Sequence, residues 1–189
     1  MTRDTIDISA IAGANTIDLQ LGTTSGGFLT GTFNTIENFV GDNTTDILVG
    51  ANAATTWIIS GANSGTSGVF SFSGMPNLTG GTSDDIFNIT SGSLAGKIDG
   101  AAGVDTLSYA GGPVATITLT APGTTDGFMG DATSINTAGT TPGFDNIDGL
   151  ISSGGADTLI GPNLATTWTI SGVNSRSLTS TNTLTFTNF

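Results

Sequence analysis

Cysteine and histidine are absent from this chain of 189 residues. Without cysteine there can be no disulfide framework, no thiolate chemistry and no cysteine-based zinc site. Without histidine there can be no nucleophile–histidine triad, and the commonest general base of enzymes is missing. These absences predict that the protein is not an enzyme.

Charge is scarce, and positive charge is almost absent. Charged residues make up 10% of the chain, against about 25% in ordinary globular domains. The basic residues are Arg3, Lys97 and Arg176, and the formal net charge is −12. Because nucleic acids and anionic lipids are bound by clustered lysine and arginine, neither is expected as a partner. The excess of carboxylates instead favours divalent cations.

Long apolar runs are also lacking. No segment approaches the roughly 20 apolar residues that span a bilayer, so membrane insertion is not expected. Residues 1–7 lack the apolar core of a signal peptide. Either a leader has been removed or the chain is a piece of a longer protein, and we favour the second interpretation.

Helical patterns are missing, whereas strand patterns recur. Glycine, threonine, asparagine and serine interrupt every window that is long enough for a helical apolar stripe. Apolar residues instead lie two apart, as at Ile117 and Leu119 or at Leu184 and Phe186, and glycine, asparagine or aspartate turns separate these segments. The pattern predicts an all-β protein.

A long internal repeat links the two halves of the chain. Residues 163–175 copy residues 52–64 with ten of 13 positions identical, including the Thr-Thr-Trp triplet. The match extends without a gap back to Phe33 and Phe144, so the offset in numbering between the copies, 144 − 33 = 111, is constant throughout. A block of that length contains several strands, and such repeats are typical of scaffolds and surfaces rather than enzymes.

Aspartates that directly precede apolar strands indicate a shorter period within the block. Their successive spacings in the numbering are 42, 39, 20 and 52, and three of the four lie near multiples of 20. These residues are Asp4, Asp46, Asp85, Asp105 and Asp157. The spacing predicts a single parallel β-solenoid (β-helix or β-roll-like) over residues 1–189, with coils of roughly 20 residues. It would hold about 1.8 copies of a block of about 100–111 residues. The first copy would cover about 4–104 and the second, partial copy about 105–189, with a loop-like insertion at about 123–143.

Two glycine-rich segments that contain such an aspartate resemble the calcium-binding nonapeptide of RTX (haemolysin-type) β-rolls, whose pattern is G-G-x-G-x-D-x-apolar-x. They are residues 80–88, Gly-Gly-Thr-Ser-Asp-Asp-Ile-Phe-Asn, and residues 100–108, Gly-Ala-Ala-Gly-Val-Asp-Thr-Leu-Ser. Residues 41–49 and 152–160 match less closely. The longer block around Thr-Thr-Trp resembles the β-strand repeats of very large, adhesin-like bacterial surface proteins.

The RTX resemblance implies that aspartate carboxylates and turn carbonyls coordinate Ca²⁺ between successive turns. The implied ligands are Asp46, Asp84, Asp85, Asp105 and Asp157, and the best candidate site combines Asp84 and Asp85 with Asp105. The nonapeptides of this chain stand singly, however, and Thr44 and Ser83 replace the later glycine of the motif. The alternative is that each aspartate caps a turn by accepting backbone N–H bonds before its strand begins.

Other residues allow a polysaccharide-related alternative. Trp57 and Trp168 occupy the same repeat position, where a large ring either stacks on a sugar or fills the core. The carboxylate pairs Asp84/Asp85 and Asp145/Asp148 have the chemistry of glycoside hydrolases. Both pairs sit in repeat turns without basic or aromatic residues clustered nearby, so the favoured interpretations are turns for the aspartates and core filling for the tryptophans.

The repeat and the resemblance together predict a structural module of a secreted or surface-displayed bacterial protein, such as a stalk, matrix or adhesin. The second copy stops partway through its block and neither end carries a polar cap, so we expect the ends to stack on adjacent repeats or on other copies and to form a fibre. The alternatives are a Ca²⁺-dependent RTX-like binding module and a polysaccharide-binding or polysaccharide-cleaving β-helix. The expected location is extracellular or at the cell surface.

Overall fold

The computed structural model describes residues 3–25, 32–135, 143–172 and 175–189. These residues form 20 β-strands and no helix, which confirms the predicted all-β class. Within these ranges there is accordingly no helix that could cross a membrane. The strands are β1 (Thr5–Asp7), β2 (Thr16–Asp18), β3 (Thr23–Thr24), β4 (Asn38–Val40), β5 (Ile47–Val49), β6 (Thr56–Gly61), β7 (Ser64–Ser67), β8 (Phe70–Ser73), β9 (Asn77–Gly81), β10 (Ile86–Ile89), β11 (Ile98–Ala101), β12 (Thr106–Ser108), β13 (Thr116–Pro122), β14 (Phe128–Ala132), β15 (Phe144–Ile147), β16 (Gly149–Ile151), β17 (Thr158–Ile160), β18 (Thr167–Gly172), β19 (Ser175–Thr179) and β20 (Thr183–Thr187).

The strands form two mixed sheets. Sheet A has 11 strands in the order β1-β4-β8-β7-β6-β10-β12-β16-β20-β19-β18, and sheet B has nine in the order β17-β13-β14-β15-β11-β9-β5-β2-β3. The chain passes back and forth between the two sheets. The strands that alternate along the sequence are, in sheet A, β1, β4, β6, β10, β12 and β16 and, in sheet B, β2, β5, β9, β11, β13 and β17. At about 4.8 Å between neighbouring strands, sheet A is about 48 Å wide.

Neighbouring strands are parallel wherever the chain has visited the other sheet between them. Phe87 of β10 pairs with Leu107 of β12, and β9 and β11 pair with the same sequence separation. The other parallel pairs are further apart in sequence, as Trp57 is from Phe87 and Ile98 is from Phe144. The separation of β10 from β12 and of β9 from β11 therefore equals the predicted coil length of about 20 residues. The other parallel neighbours are further apart in sequence, because antiparallel hairpins lie between them.

The longest repeat in the sequence is also a repeat in the structure. Strands β6, β7 and β8 form an antiparallel unit, and β18, β19 and β20 form a second. The register shifts between Ile59 and Gly61 in the first unit and between their repeat counterparts, Ile170 and Gly172, in the second. The repeated sequence thus encodes the same hairpin with the same irregularity.

Inward side chains of both sheets meet in one apolar core. Along β6, Trp57 and Ile59 are fully buried whereas Ile58 between them is exposed, as period-two alternation requires. Phe144 of sheet B belongs to the same core cluster. Each such side chain contributes about 1.5–3 kcal/mol when it leaves water. The core therefore joins the two sheets along their length.

The segment at about 123–143 differs from the predicted loop-like insertion. It contains β14, which pairs antiparallel with β13 and β15, and Phe128 is fully buried there. Residues 136–142 of the predicted insertion lie outside the described residues. Because β3 pairs with β2 in the same antiparallel way, β14 extends a hairpin that the first copy also has. The prediction of a loop is wrong for 128–132.

Candidate functional site

The predicted site aspartates lie directly before strands, as the sequence indicated, but most of them are inside the protein. Asp46, Asp85 and Asp105 are each at most 1% exposed, and Asp157 is partly buried. They precede β5, β10, β12 and β17, respectively. A carboxylate at such depth needs hydrogen-bond donors, so its partners define its role.

Each of these carboxylates bonds to the backbone of the neighbouring parallel strand. Oδ1 of Asp46 accepts the N–H of Asn15 at 2.9 Å, and Oδ1 of Asp157 accepts the N–H of Ala115 at 2.6 Å. Although partial burial favours the protonated acid, the bonds from Ala115 and the Ser153 hydroxyl hold the pKa of Asp157 below its ordinary value. In these contacts the carboxylate accepts a backbone N–H, as the turn-capping interpretation requires, but the donor lies on a different strand and not in the aspartate's own turn.

In sheet A the same contact forms a continuous chain that we call the aspartate ladder, residues Thr55, Asp85, Asp105 and Asp148. The N–H of Thr55 donates to Asp85 Oδ1 at 2.8 Å. The N–H of Asp85 donates to Asp105 Oδ1 at 2.7 Å, and the N–H of Asp105 donates to Asp148 Oδ2 at 3.2 Å. Burial raises the pKa values of Asp85 and Asp148. The ladder fastens four consecutive strands, β6, β10, β12 and β16, at the same end.

Sequence reasoning missed two capping residues. Glu37 Oε2 accepts the N–H of Asp4 at 3.0 Å, and Asp148 accepts that of Asp105. Glu37 and Asp148 precede β4 and β16 and occupy the same position of the two repeat copies. The repeat offset could therefore have found them, whereas the RTX pattern, which requires aspartate in a glycine-rich turn, could not.

In Asp46 and Asp85 the second carboxylate oxygen closes the turn that precedes the aspartate's own strand. Oδ2 of Asp46 accepts the N–H of Asp42 at 2.9 Å, and Oδ2 of Asp85 accepts that of Gly81 at 2.8 Å, in each case four residues earlier. The oxygen fits because a glycine lies five residues before the aspartate. A Cβ added to Gly80 would lie 2.5 Å from Asp85 Oδ2.

Asp105 lacks that second bond. Its Oδ2 is buried without a hydrogen-bond partner. The equivalent donor, the N–H of Ala101, turns instead to Asp99 Oδ1 at 3.1 Å, and Ala101 has the left-handed φ of 75°. Burial raises the pKa of Asp105 to about 7, and the charges of Asp85 and Asp148 contribute. Asp105 is therefore the member of the ladder that titrates near neutral pH.

The proposed calcium ligands are not gathered around a common point. Asp84 is exposed, and its Oδ1 accepts the N–H of Val104 at 2.9 Å, while the neighbouring Asp85 points to Thr55 and Gly81. Over the described ranges, no group of three or more acidic side chains has an arrangement that could hold a metal ion. Calcium binding at Asp46, Asp84, Asp85, Asp105 and Asp157 stays a prediction.

The remaining candidate carboxylate, Asp145, is the buried member of an ion pair with the half-buried Lys97. Lys97 Nζ lies 3.0 Å from Asp145 Oδ2 and 3.3 Å from Asp99 Oδ2. Burial opposes the charge of the ammonium group, but the bond to Asp145 and the charge of Asp99 raise the pKa of Lys97. Thr124 donates its N–H to Asp145 Oδ1 at 3.0 Å. The pair therefore ties β11 to β15 and the segment that precedes β14.

The surface of the described residues contains several clefts, of which three are considered. One of about 410 Å³ is bordered by Phe33, Ile36 and Phe70, one of about 520 Å³ by Pro122 and Leu164, and one of about 150 Å³ by Lys97 and Asp99. None of the three is lined by Asp84, Asp85, Asp145 or Asp148. The carboxylate pairs considered for glycoside hydrolysis therefore line none of these three clefts.

The two tryptophans of the repeat have different surroundings. Trp57 is fully buried, stacked on Phe87 at 5.6 Å and 19° and edge-on to Phe72 at 6.1 Å. Trp168 keeps the equivalent edge contact, with Phe186 at 5.5 Å, but is 43% exposed. Core filling is thus confirmed for Trp57 and incomplete for Trp168, because β18 is the last strand of sheet A and has no described counterpart of β10 beside it.

Both ends of the sheets expose repeat positions that are buried in the interior. At one end, Ile170 of β18 is 68% exposed whereas its counterpart Ile59 is fully buried. At the other end, Phe33 is only partly buried whereas its counterpart Phe144 is fully buried. We call the free edges of β17 and β18 the open end of the sheets; it is the candidate functional site of this chain. No protein-family model, curated protein or solved structure shows significant similarity to the chain.

Proposed function

We propose that the chain is a structural repeat module: a stretch of β-solenoid that builds a stalk, matrix or adhesin of a secreted or surface-displayed bacterial protein. The observation that carries the proposal is the contrast between Trp57, which is fully buried, and Trp168, which is 43% exposed at the same repeat position. A further block placed at the open end would cover Trp168 as the interior covers Trp57.

The interior supplies the physical basis for such growth. In the interior, β10 pairs in parallel with β6, buries Phe87 and Ile89 and carries the Asp85 cap, and a β10-type strand added at the open end would make the same set of bonds. In this proposal the protein acts through its length and its ends, and no chemical step is involved.

Adding residues in phase with the repeat tests the proposal. Phe72 and Phe186 hold equivalent positions beside their tryptophans, and Gly74 and Asn188, two residues later, share left-handed φ values of 67° and 66°. A copy of residues 76–189 appended after Phe189 therefore continues the block. It would add the sheet A strands β10, β12, β16, β18, β19 and β20, which corresponds to about 29 Å of length.

Small-angle X-ray scattering measures the outcome. The maximum dimension of the extended chain should exceed that of the present chain by about 29 Å while the cross-section stays constant. The matched control carries the same appended residues in scrambled order and should not grow as a rod of constant cross-section. If the in-phase extension instead folds as a second body beside the first, with no such gain in length, the structural-module proposal is wrong.

A further inference from the structure

The interior of sheet A shows what fits against the edge that β18 leaves free. Strand β10 lies between β6 and β12 and is parallel to both. It pairs Phe87 with Trp57 and Ile89 with Ile59. Since β18 repeats β6, the strand missing from its free edge is a counterpart of β10.

Three contacts define the chemistry of that missing strand. The ring of Phe87 stacks on Trp57 at 5.6 Å and 19°. Ile89 lies opposite Ile59, and both are fully buried. Asp85, just before β10, accepts the N–H of Thr55 at 2.8 Å. A strand with these features has the sequence type Asp-apolar-Phe-x-Ile.

The receiving residues are all repeated at β18. In the second copy of the repeat, the counterparts of Thr55, Trp57 and Ile59 are Thr166, Trp168 and Ile170. Trp168 is 43% exposed and Ile170 is 68% exposed, on the edge where the phenylalanine and isoleucine of such a strand would pack.

We propose that the open end is a docking site for a β9–β11-type unit whose central strand has the sequence Asp-apolar-Phe-x-Ile and adds in parallel to β18. The proposal rests on the structural-module function and names the partner at its growing end. It places phenylalanine opposite Trp168, isoleucine opposite Ile170 and the aspartate carboxylate on the N–H of Thr166.

The β1 edge of a second copy fits less well. β12, which resembles β1 in sequence and pairs with β16 as β1 pairs with β4, does not touch β6, because β10 separates them. β1 also offers Ile6 where β10 offers Phe87, so it has no ring to stack on Trp168. In sheet B the edge strand β17 repeats β5, which pairs with β9. A β9–β11 unit therefore covers both free edges at once.

A peptide of residues 75–103 added in trans tests the inference. The peptide could also pair with β1, because in the interior β10 pairs with β12, the counterpart of β1. The receiving chain therefore carries Ile6→Asp, which prevents the peptide from binding at the β1 edge. Fluorescence anisotropy of the dye-labelled peptide should show saturable one-to-one binding. The peptide contains no tryptophan, so a shift of emission to shorter wavelength and reduced acrylamide quenching report burial of Trp168.

Substitutions on both sides locate the contact. Trp168→Ala in the chain and Phe87→Ser in the peptide should each weaken binding by at least about tenfold. Ile170→Thr is a second, milder change at the same edge and should weaken binding as well. Val69→Ala is the matched control, since Val69 is 75% exposed in the turn between β7 and β8, and it should leave the affinity unchanged. Circular dichroism verifies that each variant is folded.

Two outcomes would overturn the inference and leave the structural module standing. In the first, the peptide does not bind although the chain extended by residues 76–189 grows in length. In the second, the unmodified chain dimerises without peptide and Trp168→Ala abolishes the dimer, which would make a second copy the occupant. Failure of the extended chain to grow contradicts the proposed function itself, so the two failures are distinguishable.

Discussion

An aspartate before a strand of this protein holds two backbone N–H groups with one side chain. Oδ1 of Asp46 reaches the adjacent strand at Asn15, and Oδ2 closes its own turn at Asp42. Both donors would otherwise be buried or half-buried without a partner, which costs about 1–3 kcal/mol each. The carboxylate therefore acts as a bridge between strands, and both of its oxygens are already used.

The two aspartates Asp46 and Asp105 should respond oppositely to the same substitution. In Asp46→Asn the amide NH₂ replaces an acceptor and faces the N–H of Asp42, so we expect a loss of about 1–3 kcal/mol in the free energy of unfolding. Asp105→Asn keeps the acceptor for the N–H of Asp85 and removes a charged oxygen that has no partner. It should increase stability at pH 8.

Urea unfolding followed by circular dichroism at pH 8 measures both effects. Asp105→Asn serves as the control for Asp46→Asn, because the chemical change is identical and only the partners differ. Equal destabilisation by both substitutions would show that the missing bond of Asp105 has no energetic consequence.

Gly80 provides a second residue-scale prediction. A Cβ at this position would lie 2.5 Å from both the Gly100 carbonyl oxygen and Asp85 Oδ2. Gly80→Ala should therefore cost about 1–3 kcal/mol through overpacking and displacement of the carboxylate. Gly172→Ala is the matched control, since a Cβ there meets nothing within 4 Å, and the urea midpoint should not fall. A Gly80→Ala midpoint equal to that of the unmodified chain would contradict the packing argument.

At the scale of the strands, the aspartate ladder makes stability depend on pH in an unusual direction. The pKa of Asp105 is about 7 in the folded state, raised by burial from an ordinary value of 3.8. Between these two pH values the folded chain holds a proton that the unfolded chain has released, so the free energy of unfolding decreases as pH rises. The raised pKa values of Asp85 and Asp148 act in the same direction. The lowered pKa of Asp157 acts oppositely, and its stabilisation is lost as pH falls below about 4.

We therefore expect the protein to be more stable at pH 5 than at pH 8. Urea titrations at pH 5, 6, 7 and 8 measure the slope, which for one such group reaches about 1.4 kcal/mol per pH unit. Asp105→Asn should flatten the curve between pH 5 and 7. If that variant keeps the slope of the unmodified chain, Asp105 is not the titrating group.

The alternation of apolar residues predicted the strands well but not the order in which they pair. Ile117 and Leu119 or Leu184 and Phe186 show which face is buried, since that is a local property of each strand. The return of β7 and β8 to the side of β4 is non-local and leaves no periodic signal. The aspartate spacing predicts a coil length that is too short for the same reason, because hairpins add residues between strands that are neighbours in space.

The residues of the candidate site could be predicted from the repeat, but their exposure could not, because exposure depends on which strands are neighbours in space. Trp57 and Trp168 are the same residue in the same motif, so sequence cannot separate them. Their difference in exposure depends on which strand lies next in sheet A. Position 101 is alanine, which rarely adopts the positive φ that Ala101 has here, so the sequence does not signal that its N–H bonds Asp99 instead of the second oxygen of Asp105.

At the scale of the whole molecule, the two sheets form a row of strands whose interior positions are complete and whose end positions are not. The interior side chains are fully buried, namely Trp57, Ile59 and Phe144. Their repeat counterparts near the ends are only partly buried or exposed, namely Trp168, Ile170 and Phe33. Stability in such an array is close to a sum of contributions from each unit and its neighbours. The energetic value of one residue should therefore depend on whether a further block is present.

Trp168 allows that dependence to be measured within one protein. In the present chain Trp168→Ala removes a ring that is 43% exposed, and it should cost less than half of what Trp57→Ala costs, which is about 3–5 kcal/mol for a buried tryptophan. In the chain extended by residues 76–189 the added β10 covers Trp168, so the cost of Trp168→Ala should rise to that of Trp57→Ala. Extension by residues 105–189 alone omits β9, β10 and β11 and should leave the cost low. Urea unfolding of the three chains with and without each substitution tests this, and an equal cost for Trp168→Ala in all three would show that the open end does not receive a further strand.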